Sequence, residues 1–145
     1  MPGIAIEKLI LNELWDILTL DETLAGLMGG TVNLYLEQAP PDSPFPYMVH
    51  RIELRNITDY SPERQGTYLV DLWSNSPNAD EVLSICDRVD ELIHNAEFET
   101  LELDEVWLWR QAETPVPDEP GIRHRNLQFN IRYLRLADAA NILRR

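Results

Sequence analysis

The chain has 145 residues, enough for one folding unit with a core that needs no disulfide or metal to hold it. Hydrophobic residues make up 44% and charged residues 26%, the balance of a globular protein, which excludes wholesale disorder and a continuous coiled coil. The net charge of −13, from 25 acids against 12 Lys plus Arg, excludes a protein built to wrap nucleic acid, because phosphate binding rests on cations.

Met1 to Arg145 therefore reads as a single domain. Cys86 is the one cysteine, so no intrachain disulfide can form. No apolar run reaches the roughly 18 to 20 residues that span a bilayer. The opening "MPGIAIEKLILNELWDIL" lacks the basic start and cleavage site of a signal peptide, so synthesis in the cytoplasm and no membrane contact are expected. Arg123, Arg125, Arg132, Arg135, Arg144 and Arg145 crowd the last quarter, while the first half is acid-rich, a distribution suited to complementary contacts between surfaces.

Along the chain, Ile6, Leu9, Ile10, Leu14, Ile17 and Leu18 recur at spacings of three and four and predict one amphipathic helix. "LDETLAGLMGG" offers Asp21 as an N-cap and stops at Gly29-Gly30, which predicts a short second helix or a turn. Val32, Leu34 and Leu36 suggest a short strand, and Pro40, Pro41, Pro44 and Pro46 a stiff extended loop. Tyr47 to Ile57 alternates as a strand, with Met48, His50, Ile52 and Leu54 on one face. "NITDYSPERQG" reads as a hairpin connection in which Pro62 and Gly66 are the turn residues.

Tyr68, Val70 and Leu72 then alternate with Leu69, Asp71 and Trp73, and two largely apolar faces predict a central strand. Ser76 before Pro77, or Asn78 with Glu81 three residues on, supplies an N-cap for a helix whose core stripe is Val82, Ile85, Cys86, Val89, Leu92 and Ile93. Two further strands, "TLELDEVWLWRQAE" and "IRHRNLQFNIRYLRL", are separated by the proline-rich connection "TPVPDEPG". Leu127, Phe129, Ile131 and Tyr133 alternate with polar residues in the last of them. The fold class expected is α+β: an antiparallel β-sheet of about four to five strands, two main helices packed on one face, and long mobile loops. No internal repeat is present.

Chemistry is sparse. His50, His94 and His124 fall in three elements and Cys86 has no second cysteine nearby, so no metal site and no cofactor are expected. The carboxylates of "EFETLELDEV" read as a solvated strand entry, with Glu99, Leu101 and Leu103 on one side and Thr100, Glu102 and Asp104 on the other. No nucleophile elbow, P-loop or dinucleotide fingerprint occurs, and "GLMGG" lacks the spacing of one. Trp107 and Trp109 share a strand face. Without interleaved cations, and with Glu102, Asp104 and Glu105 just before them, they read as core or subunit interface and not as a platform for bases. No catalytic residue is assigned and no enzymatic activity is expected.

The order of "PYMVHRI", "YLVDLWSNSPNADEVLSICDRVDELI" and a closing "LQFNIRYLRL" resembles the tail-completion, or tail-terminator, proteins of long-tailed bacteriophages and related prophages. Pro46-Tyr47, Asp71-Leu72-Trp73 and the Ala79 to Ile93 helix occupy the matching places. The likeness runs from Ile6 to Leu136 and leaves Ala137 to Arg145 as a C-terminal extension. It implies a virion assembly subunit that forms a ring, by family habit a hexamer, which terminates the tail tube and joins it to the head. The implied partners are other copies of the chain, the tail tube protein and the head–tail connector protein, with DNA only as passing cargo. The implied location is the head-proximal end of the tail. For subunit and partner contacts the candidates are the loop residues Tyr60, Glu63, Arg64, Asp118, Glu119, Arg123 and Arg125, which offer complementary charge around a ring.

Two other classes compete. An acidic binding module or inhibitor, a nucleic-acid mimic included, would bind a basic partner one to one and weaken steeply with salt. A small enzyme would need a concave pocket where His50, His94 or carboxylates converge.

Overall fold

The computed structural model describes residues 6–55, 63–100 and 103–135. Among these residues three helices and six strands follow in the order α1 (Ile6–Thr19), α2 (Glu22–Leu27), β1 (Leu34–Leu36), β2 (Tyr47–Arg55), β3 (Glu63–Ser74), α3 (Asp80–Ile93), β4 (Glu97–Phe98), β5 (Leu103–Val116) and β6 (Arg123–Arg135). The strands form one sheet in the order β1-β2-β3-β6-β5-β4. It is mixed, because β1 runs parallel to β2 while every other pair is antiparallel. The expectation of an antiparallel sheet of four to five strands is corrected on both counts. The chain reaches β1 before the proline-rich loop turns it back into β2, and so arrives alongside in the same direction.

Helix α1 buries Ile10, Leu14 and Leu18, the stripe its periodicity sets, and α3 buries Val82, Ile85, Cys86, Val89 and Ile93. Helix α2 starts as its sequence asks: the Asp21 carboxylate accepts the Leu24 N–H at 2.8 Å. It ends in a Schellman turn, with Gly30 N–H on the Ala25 carbonyl at 2.7 Å and Gly29 N–H on the Gly26 carbonyl at 3.4 Å. Gly29 and Gly30 have φ of 90° and 115°, which side chains resist. Asp21 does a second job. Arg88 of α3 donates from Nε and Nη2 to its two oxygens at 2.9 and 2.7 Å, a two-point clasp between α2 and α3. That guanidinium, with the Leu24 N–H, holds the Asp21 carboxyl below its ordinary value against the opposing effect of burial.

The start of α3 differs from expectation. Ala79 occupies the N-cap position with no side-chain cap. Asn78 instead accepts the Asp80 N–H at 3.0 Å, and Ser74 binds Glu81 at 2.7 Å and the Ser76 N–H at 3.2 Å. Gly66 is a strand residue and not a turn residue. It pairs with Leu54 and Ile131, and a Cβ there would sit 2.5 Å from the Glu53 carbonyl oxygen, so only glycine lets the strands close. Pro62 lies outside the described residues. "TPVPDEPG" is only partly a connection, since β5 runs on through Thr114–Val116 and the turn is residues 117–122. Pro115 is tolerated because β4 reaches no further than Val106 and Trp107, leaving β5 an edge strand at that level.

Helices α1 and α3 pack on one face of the sheet with α2 against them, and one cluster joins all three to Met48, Tyr68, Val70, Leu72, Leu108, Leu127, Phe129 and Ile131. At the start of β5 the ladder shifts register between Asp104 and Trp107, with Glu105 at φ 48°. The bulge turns both Leu103 and Val106 into the core, where simple alternation would have set them on opposite faces. Residues 101 and 102 lie outside the described residues.

Candidate functional site

With the helices on one face, the other face of β2, β3, β6 and β5 carries the remaining side chains in rows fixed by the register. From one end these rows are Tyr47-Trp73-His124-Val116, Val49-Asp71-Asn126-Thr114, Arg51-Leu69-Gln128-Ala112, Glu53-Thr67-Asn130-Trp109 and Arg55-Gln65-Arg132-Trp107, the last continued by Glu97 of β4. Polar amides fill its middle, and an aromatic cluster stands at each end.

In the first cluster Tyr47 stacks on Trp73 at 5.0 Å and Trp73 on His124 at 4.2 Å, with Phe45 tilted against Tyr47 at 5.4 Å. His124 Nε2 lies 2.8 Å from Asp71 Oδ1, which also accepts from Asn126 at 3.0 Å. On its other side His124 Nδ1 is 3.7 Å from Asp118 Oδ2, and that oxygen accepts the Trp73 indole N–H at 3.1 Å. Burial, and after it the Asp118 charge, raises the Tyr47 phenol above its ordinary value. An imidazole between two carboxylates is half of an acid–base device, but its ring is covered by Trp73 and both nitrogens face carboxylates, and no nucleophile among the described residues is placed to use it. What the cluster does is fasten the turn of residues 117–122 onto the sheet through Asp118.

At the other end Trp107 and Trp109 stack at 4.5 Å, and the Arg132 guanidinium lies 5.8 and 5.5 Å from their ring centres, held there by Glu63. This corrects the expectation of a tryptophan face without a cation: Arg132 comes from the next strand and is invisible to spacing within β5. Glu63, Glu97, Glu105, Trp107 and Arg132 line a hollow of about 350 Å³. Among the described residues Glu97 and Glu105 have no ion-pair partner, so the hollow keeps uncompensated negative charge.

The three histidines do not converge. His50 is in the core, its Nδ1 2.7 Å from the Tyr68 hydroxyl, and burial lowers it to about 4, so it stays neutral. His94 sits at the sheet edge, where its Nδ1 accepts the Arg110 N–H at 2.8 Å and stands in for a missing strand. Cys86 is buried, and that burial, with Glu113 next, pushes its thiol up to about 12. Among the described residues no group of three His, Cys, Asp or Glu is placed to hold a metal ion. Among the described residues no helix is long and apolar enough to cross a membrane.

The seven contact candidates split between the two ends. Glu63 and Arg64 open β3, and Glu63 is paired with Arg132. Twelve residues of β3 separate that end from the β5–β6 turn, roughly 40 Å away. There Asp118 is engaged as above, and Glu119 donates its N–H to Asp118 at 2.7 Å. Arg123 reaches the Pro77 carbonyl at 3.5 Å. Arg125 turns to the helix side and meets Glu113 at 3.3 Å. Tyr60 lies outside the described residues. Sequence reasoning missed Arg132 and the Asp71–His124–Asp118 chain. The strand alternation that places Asn130 opposite Trp109 could have found the first.

No protein-family model matches the chain, and no curated protein matches it. Solved structures do. One is a chain of the virion of a native gene transfer agent particle, with a TM-score of 0.75 at 16% identity, covering 91% of this chain and 99% of that one. A second solved chain reaches a TM-score of 0.62 at 10% identity, covering 91% of this chain and 96% of the other. At such identities the likeness is one of fold, and it extends over nearly the whole of each chain.

Proposed function

We propose that the chain is a structural subunit of a phage-type virion, without enzymatic activity, that assembles into a ring terminating the tail tube and joining it to the head connector. The observation that carries this reading is the end-to-end fold match to a chain of a gene transfer agent virion. The tail-terminator resemblance of the sequence supplies the position within the particle and the hexameric ring. The absence of a catalytic assignment rests on the same two likenesses.

Charge fits the reading. Helices α1, α2 and α3 hold nine carboxylates against Lys8 and Arg88, so the helical layer bears much of the −13. Turned toward the passage, that layer would keep DNA from sticking as it moves through. A ring with the helices on its outer rim would reject this role for the acids.

Electron microscopy of particles assembled without the chain tests the function. Overlong tubes, or finished tails detached from filled heads, are expected. Normal infectious particles would overturn the reading and bring forward the acidic inhibitor, which the negative helical layer would then serve.

A further inference from the structure

We propose that neighbouring subunits join edge to edge through the sheet, with Arg55 of one copy entering the Glu97–Glu105–Trp107 hollow of the next. The inference rests on the ring reading and names the contact that would build it.

A ring is made by one heterologous contact repeated around an axis, so it needs two different patches on opposite sides of the subunit that fit each other. The two lateral edges of this sheet meet that need. On the β2 side, β1 pairs only with Met48 to His50, so Arg51 to Arg55 form an edge without a neighbouring strand among the described residues. Arg51 and Arg55 outnumber Glu53 there. Arg51 is spent on Glu53, whereas Arg55 is exposed and reaches only the Thr67 hydroxyl, at 3.5 Å, among the described residues. On the far side, Glu97 and Glu105 stand beside Trp107, and Arg132, the cation that lines their hollow among the described residues, is taken up by Glu63. One edge is positive and the other negative.

Level decides the match. Arg55, Gln65, Arg132, Trp107 and Glu97 are one cross-strand row, about 19 Å from β2 to β4 at the usual strand spacing. A rotation about an axis running along the strands preserves level, so it brings Arg55 of one subunit opposite Glu97 of its neighbour. The backbone of β5 is already occupied at this level: β4 pairs with Trp107, and His94 accepts the Arg110 N–H. The contact is therefore made by side chains. A guanidinium can fork onto a carboxylate while lying against an indole edge, and the hollow of about 350 Å³ has room for one. The arrangement gives a chain of net charge −13 a place where copies attract.

The test is a paired cysteine variant, R55C/E97C, of the full chain at high concentration. The native Cys86 is buried and will not compete. With a short bismaleimide cross-linker, whose span replaces that of the two long side chains, a ladder of covalent oligomers ending in a closed species is expected, with either single variant lacking it. In parallel, R55E or E97R should raise the concentration for half-association about tenfold, and the double swap R55E/E97R should return it to within about threefold of the original. Association without a ladder, a double swap no better than its singles, or a chain that stays monomeric throughout would each overturn the proposal. These failures are separate from that of the ring reading, which falls only if particles assembled without the chain are normal.

Discussion

The two faces of the sheet solve different problems with the same four strands. On the helical side Met48, Tyr68, Val70, Leu127, Phe129 and Ile131 are buried, and the free energy there comes from area removed from water. On the open side Asp71, Asn126, Gln128 and Asn130 occupy the alternate positions between two aromatic clusters, and Gln128 donates to Asn126, which donates to Asp71. The first face determines whether the chain folds, and the second what it can meet. Substitutions on neighbouring residues of one strand should therefore diverge sharply.

The sharpest contrast lies in β6. Phe129→Ala should cost about 3–5 kcal/mol in urea or guanidinium unfolding, because it opens a cavity against Tyr68 at the centre of the core. Gln128→Ala, one residue away on the open face, should stay within about 0.5 kcal/mol. Equal effects would dissolve the distinction.

Next in size is a pH effect confined to the buried face. His50 is lowered to about 4 by burial, so between about 6.5 and 4 the unfolded chain binds a proton that the folded chain refuses. Its contribution is complete above pH 6.5, declines as pH falls toward 4, and changes no further below that. The loss is on the order of 3 kcal/mol, read as the shift of unfolding midpoints with pH. His50→Gln should flatten that slope, whatever it does to absolute stability.

Gly66→Ala probes the point where the backbones approach most closely. The added methyl meets the Glu53 carbonyl and the Leu54 side chain, and thermal or chemical unfolding should show about 1–3 kcal/mol of destabilisation. A further effect belongs to the helical layer itself. Asp21→Ala removes the α2 cap and the Arg88 clasp together and should cost about 1–2 kcal/mol. Because the folded Asp21 lies below its ordinary value, its contribution is present above about pH 4 and fades as pH falls through the lowered value, so the variant and parent should converge in acid.

Much of this was legible in the sequence where one periodic signal runs unbroken. The stripes of α1 and α3 and the alternation of β6 lie in the structure as read. The parallel β1 and two-residue β4 were not legible in the same way, because segments of three and two residues carry too little period to reveal a partner. Gly66 looked like a turn because glycine usually marks one, and tertiary closeness overrode that prior. The sharing of a face by Trp107 and Trp109 was readable. Arg132 above them, like Asp118 beside His124, depends on a pairing between distant segments that no local pattern records.

The Trp107–Trp109 stack has an optical consequence. Two indoles with centres 4.5 Å apart and planes inclined by 27° have coupled transition dipoles, which split the indole band into an exciton couplet in circular dichroism. The protein thus carries its own spectroscopic label at one sheet edge, and anything that settles into the adjoining hollow will change the sign, size or position of that couplet without a dye being attached.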